Sequence, residues 1–234
     1  MSYEERYHHV QNGESLFWSS PSWKIKTKFD SIFNTALLDE LHDIAKDIQS
    51  GKDKNPHNSI WDYDKPCLNI LNQEIINIVT QTVFQNLPEI KQLKIVGCEH
   101  FTGWMNIVRP GESLNIHGHV ESAMTATYYI KVKDECGDLV LYDTSKAIDW
   151  TKNTLSDNPT LKEIRYNPVE GELIFFPSYM LHGVSVNKSD DLRISISTDL
   201  RKITEKSSNK INMAEAWGGM ESLISNWKKK QENK

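Results

Sequence analysis

The sequence predicts a mainly β fold, an antiparallel β-sandwich or jelly roll buttressed by helices at its N-terminal end. Two observations carry this. Up to about residue 90 apolar residues recur at helical spacing, and beyond it the spacing falls to two. After that switch come short apolar segments, each bounded by Gly, Pro, Asn or Asp.

The segment Ser31 to Ser50 puts Ile32, Phe33, Ala36, Leu37, Leu41, Ile44 and Ile48 on one helical face, and Gly51 closes it. Residues 52–59 are polar and read as a loop. From about Pro66 a second amphipathic helix carries Leu68, Leu71, Ile75, Ile78, Val79 and Val83 until Pro88 stops it. From about Leu93, Phe101, Gly103, Met105 and Ile107 alternate with His100, Thr102, Trp104 and Asn106, and Pro110-Gly111 supplies a turn. Further strands are expected over Met124 to Val132, Leu139 to Tyr142, Glu172 to Phe176, His182 to Val186 and Leu192 to Asp199. Between them Thr144 to Asn167 reads as a polar insert, partly helical around Leu161 to Ile164, of the kind that lies over a functional mouth. In the tail, Met213, Trp217, Met220, Ile224 and Trp227 form a narrow apolar stripe on a helix, suited to docking on the β-core or to a homodimer contact. The expected organisation is one compact domain: a helical support over 1–90, a β-core over 91–202 with the insert, and a C-terminal helix over 203–234.

Composition narrows the function. With 38% hydrophobic and 25% charged residues the chain has an ordinary globular balance, which argues against a disordered or membrane protein. No apolar run reaches the roughly 18 residues of a spanning helix, and MSYEERYHHV lacks a signal's apolar stretch, so a cytoplasmic location is expected. A net charge of −5, with basic residues clustered only at Lys228 to Lys230, disfavours nucleic acid as a partner. Cys67, Cys98 and Cys136 are odd in number and scattered, which fits ordinary thiols better than disulfides or a zinc knuckle.

The chemistry concentrates in two segments. If N-I-H-G-H-V-E-S at 115–122 is extended, His117, His119 and Glu121 share one face, because side chains on a strand alternate. Further on, F-P-S-Y-M-L-H delivers His182 after an apolar strand, and L-R-I-S-I-S sets Arg193, Ser195 and Ser197 on one face with Leu192, Ile194 and Ile196 on the other. A guanidinium and a hydroxyl on the polar side suit an anionic ligand. The plainer alternative treats the histidines as surface residues and pairs Arg193 with a carboxylate such as Asp199. That explains the residues singly and leaves their order and spacing unexplained. His8, His9, His42, His57 and His100 read as ordinary hydrogen-bonded polar residues, and Trp104 reads first as strand packing.

Taken in order, H-x-[HDE], Y-Y, G-E-L-I-F-F-P, H and R-x-S make the stretch from about Trp104 to Leu200 resemble the 2-oxoglutarate/iron(II)-dependent dioxygenases, and within them the prolyl-hydroxylase-like group of bacteria and phages. The resemblance implies a double-stranded β-helix, a jelly roll, as catalytic core. It makes His182 the distal metal ligand, Arg193 and Ser195 the pair that binds the far carboxylate of 2-oxoglutarate, and Tyr129 a further contact to it. The proximal pair has two readings. His119 with Glu121 completes two histidines and one carboxylate, as expected for non-haem iron(II), and the carboxylate's charge favours it. His117 with His119 is the other, and leaves Glu121 outside the ligands. The implied cofactors are Fe(II) and 2-oxoglutarate, the implied partners dioxygen and an undetermined substrate, peptidyl or small-molecule, and the implied reaction hydroxylation with release of succinate and carbon dioxide. Two other classes remain: a cupin-like jelly roll that binds metal without 2-oxoglutarate, and a non-catalytic β-sandwich that binds a partner.

Overall fold

The structure, a computed structural model, describes residues 21–53, 59–84, 95–119, 121–143 and 162–204. The C-terminal stripe, Trp18 and residues 144–161 of the insert lie outside these. Two units divide the chain, residues 1–77 with 100–201 and residues 78–99 with 202–234. The site lies wholly in the first. In the second, a π-helical turn over Thr80–Phe84 precedes Cys98, whose Sγ lies 3.5 Å from Thr80 Oγ1.

Helix α1, Ser31–Gln49, begins where the sequence dictates: Asp30 is extended and its carboxylate accepts from Phe33 N at 3.0 Å. Such a cap is worth about 1 kcal/mol. Leu37, Leu41 and Ile44 form its buried stripe. Asn34 is also buried there, donating to the Ile130 carbonyl at 3.0 Å and accepting from the Tyr128 hydroxyl at 2.6 Å. Helix α2, Pro66–Val79, opens on a proline, whose missing N–H would have had no helical partner in any case. Its next two amides, Cys67 N and Leu68 N, donate to the Glu40 carboxylate of α1, so one helix caps the other.

The strands form two antiparallel sheets. In chain order they are β1 (Trp23–Lys26), β2 (Ile95–Val108), β3 (Leu114–His117), β4 (Met124–Lys131), β5 (Leu139–Asp143), β6 (Lys162–Tyr166), β7 (Glu172–Pro177), β8 (Leu181–Val184) and β9 (Arg193–Thr204). One sheet has the order β1-β7-β4-β9-β2 and the other β3-β8-β5-β6. From β2 on, the chain passes repeatedly between the two sheets, the winding of a double-stranded β-helix, with helix α1 buttressing the larger sheet through Asn34 and Tyr128. Tyr129, Ile174 and Phe176 of one sheet pack with Leu139 and Leu141 of the other and with Met180.

Two expectations need correction. The stretch around Leu161 to Ile164, expected to be helical, is strand β6 from Lys162 on, paired with β5 from Leu139↔Tyr166 to Asp143↔Lys162. In K-E-I-R-Y the alternation is too short to separate the periods, and the partner strand decides. The N-terminal region, expected as a helical support, also contributes β1, an edge strand whose Trp23 stacks on Phe175 of β7 at 5.1 Å.

Candidate metal centre and co-substrate cleft

The register of β4 against β9 builds one wall of the site. Thr125 faces Asp199, Thr127 faces Ser197, and Tyr129 faces Ser195. Because side chains alternate on a strand, Arg193, Ser195, Ser197 and Asp199 share a face with Thr125, Thr127 and Tyr129, while Ile194, Ile196 and Leu200 lie on the other. The Ser197 hydroxyl is 2.9 Å from Thr127 Oγ1 and accepts from Asn106 Nδ2 at 2.9 Å. The opposite wall comes from β3 and β8. Gly183 lets them approach, since a Cβ there would sit 2.9 Å from the Leu114 carbonyl oxygen.

At one end of this cleft stand His117, His119 and His182, whose ligand nitrogens all lie within 4.8 Å of one another. Each ring has its Nδ1 engaged. His117 Nδ1 donates to the Asn115 carbonyl at 2.8 Å, His182 Nδ1 to the Met180 carbonyl at 2.9 Å, and His119 Nδ1 meets Asp199 Oδ2 at 2.9 Å. In a neutral imidazole this fixes the tautomer and leaves the Nε2 lone pair for a metal. Burial pushes the His182 pKa down to about 4, with the Met180 carbonyl acting in the opposite direction, so the ring is neutral at physiological pH. His119 Nε2 is buried with no hydrogen-bond partner. Trp104 stacks on His119 with ring centres 5.3 Å apart, and Phe176 meets His182 edge-on at 4.8 Å. These donors suit a divalent iron, for which imidazole is a common ligand.

Deeper in the cleft, Arg193 is almost fully buried. Its Nε donates to the Gly137 carbonyl at 3.3 Å, its Nη1 to Ser195 Oγ at 3.5 Å, and its Nη2 has no partner. The guanidinium lies over the Tyr129 ring, 5.1 Å from its centre, and the buried Tyr129 hydroxyl likewise lacks a partner. No carboxylate among the described residues forms an ion pair with Arg193. A buried cation without a counter-charge is strongly disfavoured unless an anion enters. A cleft of about 360 Å³, counted to its open mouth, has Trp104, Asn106, His117, His182, Arg193 and Ser195 in its lining.

The structure therefore brings together His117, His119 and His182, and sets Arg193, Ser195 and Tyr129 side by side. It does not bring in Glu121, which is exposed and outside the cluster, because β3 ends at His117 and the alternation fails beyond it. Trp104 and Asn106 line the cleft. Two residues went unassigned, Asp199 and Thr125. The parity of β9 carries the signal for Asp199, which continues the face of Arg193, Ser195 and Ser197 one step further.

These features suit an iron(II)- and 2-oxoglutarate-dependent oxygenase. Residues 102–199 match the model of a family of putative 2OG-Fe(II) oxygenases. In the matched stretch the chain carries His117, His119, His182, Tyr129, Arg193 and Ser195, a set that suits Fe(II) and 2-oxoglutarate as cofactors. Its fold is that of a prolyl-4-hydroxylase from Pseudomonas putida, at 14% identity and TM-score 0.51 over 79% of this chain and 89% of that one. HygX from Streptomyces hygroscopicus, solved with nickel and 2-oxoglutarate bound, matches at 14% and 0.52 over 86% of each chain. AviO1 from Streptomyces viridochromogenes Tue57 matches at 11% and 0.56 over 86% of this chain and 96% of that one. No curated protein sequence matches the chain. Among the described residues no helix is long and apolar enough to cross a membrane.

Proposed function

We propose that His117, His119 and His182 hold the iron through Nε2, that Arg193, Ser195 and Tyr129 hold the distal carboxylate of 2-oxoglutarate, and that the enzyme hydroxylates an unactivated C–H bond of a peptidyl side chain or a small molecule. One observation supports this most: of the five buried side-chain polar atoms without a hydrogen-bond partner among the described residues, three, His119 Nε2, Arg193 Nη2 and the Tyr129 hydroxyl, are the atoms that a metal and a carboxylate would engage. When bound, iron and 2-oxoglutarate supply the oxidising power, with dioxygen consumed and succinate and carbon dioxide released. The residues bind and orient. Arg193 offers a planar, permanently charged fork, Tyr129 and Ser195 add hydroxyls, and Trp104 and Phe176 cover the His119 and His182 rings respectively. The prolyl-4-hydroxylase neighbour supports a peptidyl substrate. Exposed Ile116 and Tyr179, near His117 and His182 in the chain, offer apolar surface for one.

The test is anaerobic titration of the metal-free protein with Fe(II) and then 2-oxoglutarate, read by the weak visible charge-transfer band of the chelate. Succinate release is then compared with prolyl peptides and with small molecules. Iron binding without the band supports the cupin-like reading, and absence of stoichiometric metal supports the binding sandwich.

A further inference from the structure

Asp199 is a buried carboxylate, 4% exposed, on the site face of β9. Its Oδ2 takes His119 Nδ1 at 2.9 Å and its Oδ1 accepts from the Thr125 hydroxyl at 2.7 Å. Thr125 Oγ1 is also 3.1 Å from Ser178 Oγ, and the Ser178 carbonyl accepts from His119 N at 2.9 Å. One small network thus grips His119 at both its backbone and its ring. No lysine or arginine among the described residues forms an ion pair with Asp199. A carboxylate is an expensive group to bury against one hydroxyl and one imidazole alone, so its placement calls for a positive charge nearby.

Resting on the three-histidine reading above, we infer that Asp199 is a positioning residue that acts through His119 and supplies, from behind the ring, the negative charge that an all-histidine ligand set lacks. Charge balance carries the inference. Three neutral imidazoles leave both charges of a divalent ion in place, and Arg193 adds a third. The two carboxylates of 2-oxoglutarate balance two of these, and Asp199 balances the last. Without it the loaded cleft would hold a net buried positive charge. Asp199 also fixes the tautomer that turns Nε2 toward His117 and His182, as outer carboxylates do for metal-bound histidines. The carboxylate expected at Glu121 is thereby replaced by one that reaches the metal through an imidazole.

The experiment compares wild type, Asp199→Asn, Thr125→Val and His182→Ala, each purified metal-free. Fe(II) and, as a spectroscopic probe, Co(II) are titrated without oxygen, the midpoint potential of bound iron is measured, and thermal unfolding of the metal-free forms is recorded. Asp199→Asn keeps the shape and an acceptor for Nδ1–H and removes only the charge. It is expected to weaken Fe(II) binding about 10- to 100-fold, to shift the potential positive because Fe(III) loses its nearby negative charge, and to leave the metal-free protein at least as stable as wild type. Thr125→Val, which keeps the charge and loosens its orientation, is expected to give a smaller loss of affinity and little change in potential. Wild-type affinity and potential in Asp199→Asn, with metal lost from His182→Ala, overturn the inference and leave the three-histidine site standing. Metal retained by His182→Ala overturns both. Should Asp199→Asn fail to fold, Thr125→Val decides: unchanged Fe(II) affinity there overturns the inference.

Discussion

His100 and His182 are both imidazoles that burial pushes down to about pKa 4, yet they sit in regions of opposite character. At His100 both ring nitrogens are engaged. Nδ1 lies 2.7 Å from Thr198 Oγ1 and Nε2 lies 3.4 Å from the Asn72 carbonyl. Thr198 Oγ1 in turn accepts from Trp61 Nε1 at 3.0 Å and lies 2.9 Å from the Thr102 carbonyl oxygen. At His182 only Nδ1 is engaged, and the ring lies 4.4 Å from His117 and 5.1 Å from His119, centre to centre. Burial and a depressed pKa are therefore common to both regions. What separates a site from a packed corner is clustering: buried donor atoms without hydrogen-bond partners sit in the three-histidine cluster, at His119 Nε2, and side by side at Arg193 Nη2 and the Tyr129 hydroxyl.

The largest test of that contrast is metal binding. His182→Ala and His117→Ala are each expected to abolish stoichiometric Fe(II) binding, since two remaining imidazoles hold a labile divalent ion poorly. His100→Gln and Glu121→Ala are expected to bind iron within about twofold of wild type, as neither side chain belongs to the cluster. Anaerobic Fe(II) titration of the four variants checks this. Loss of iron from Glu121→Ala together with retention in His117→Ala would restore the two-histidine, one-carboxylate reading.

Next in size is Arg193. Arg193→Ala is expected to leave iron bound and to weaken 2-oxoglutarate by roughly 2 to 5 kcal/mol, much of it from stranding the ligand's carboxylate. Arg193→Lys is expected to recover only part, because an ammonium cannot make the paired, planar contact. Calorimetric titration of 2-oxoglutarate into iron-loaded protein without oxygen measures both, and wild-type affinity in Arg193→Ala would remove Arg193 from the site.

The same contrast shows what was legible in the sequence. Elements with long periodic patterns came through: α1 from its apolar spacing and closing Gly51, the apolar runs of β4 and β7, and the two-faced β9 with Arg193 and Ser195. Patterns that depend on a partner did not. Trp23–Lys26 and Lys162–Tyr166 are short and polar, and only pairing with β7 and β5 makes them strands. At the site, strand parity placed His117, His119 and Glu121 on one face, but parity holds only while the strand lasts, and β3 ends at His117. The carboxylate was sought two residues after His119, whereas the fold supplies Asp199 from a strand distant in sequence. Arg193 was legible as a candidate anion-binding group because an arginine on an otherwise apolar strand needs a reason. The plainer alternative, a pair with Asp199, fails because Asp199 is engaged with His119.

The packed corner has its own signature in pH. Folded His100 stays neutral down to about pH 4, whereas in the unfolded chain it takes a proton near 6.5. Below 6.5 the unfolded state therefore binds more protons, so stability is lost as pH falls, by about 3 kcal/mol from this ring once pH reaches about 4. The expected result is a urea midpoint that drops between about pH 7 and 4.5, less steeply in His100→Gln, which is itself less stable than wild type at neutral pH. An equal slope in the variant would mean that His100 is not the residue kept neutral.

The smallest expected effect is the sharpest for the comparison, because it should change sign between the free and the loaded protein. The Tyr129 hydroxyl is buried without a partner, and burial pushes its pKa up to about 12, so it remains a neutral donor at any working pH. In the ligand-free protein that hydroxyl is a desolvated group with no compensating bond, so Tyr129→Phe should leave stability unchanged or raise it slightly. In the presence of 2-oxoglutarate it should weaken binding by about 0.5 to 1.5 kcal/mol, the net worth of one hydrogen bond, with iron affinity unaffected. At a satisfied position the reverse holds: Tyr128→Phe breaks the 2.6 Å bond to Asn34, strands a buried amide oxygen, and should destabilise the free protein by about 1 to 3 kcal/mol while leaving co-substrate affinity alone. Chemical denaturation of the metal-free variants and calorimetry on the iron-loaded ones give the four values. If Tyr129→Phe behaves like Tyr128→Phe, its hydroxyl has a protein partner after all, and Tyr129 serves packing rather than the co-substrate.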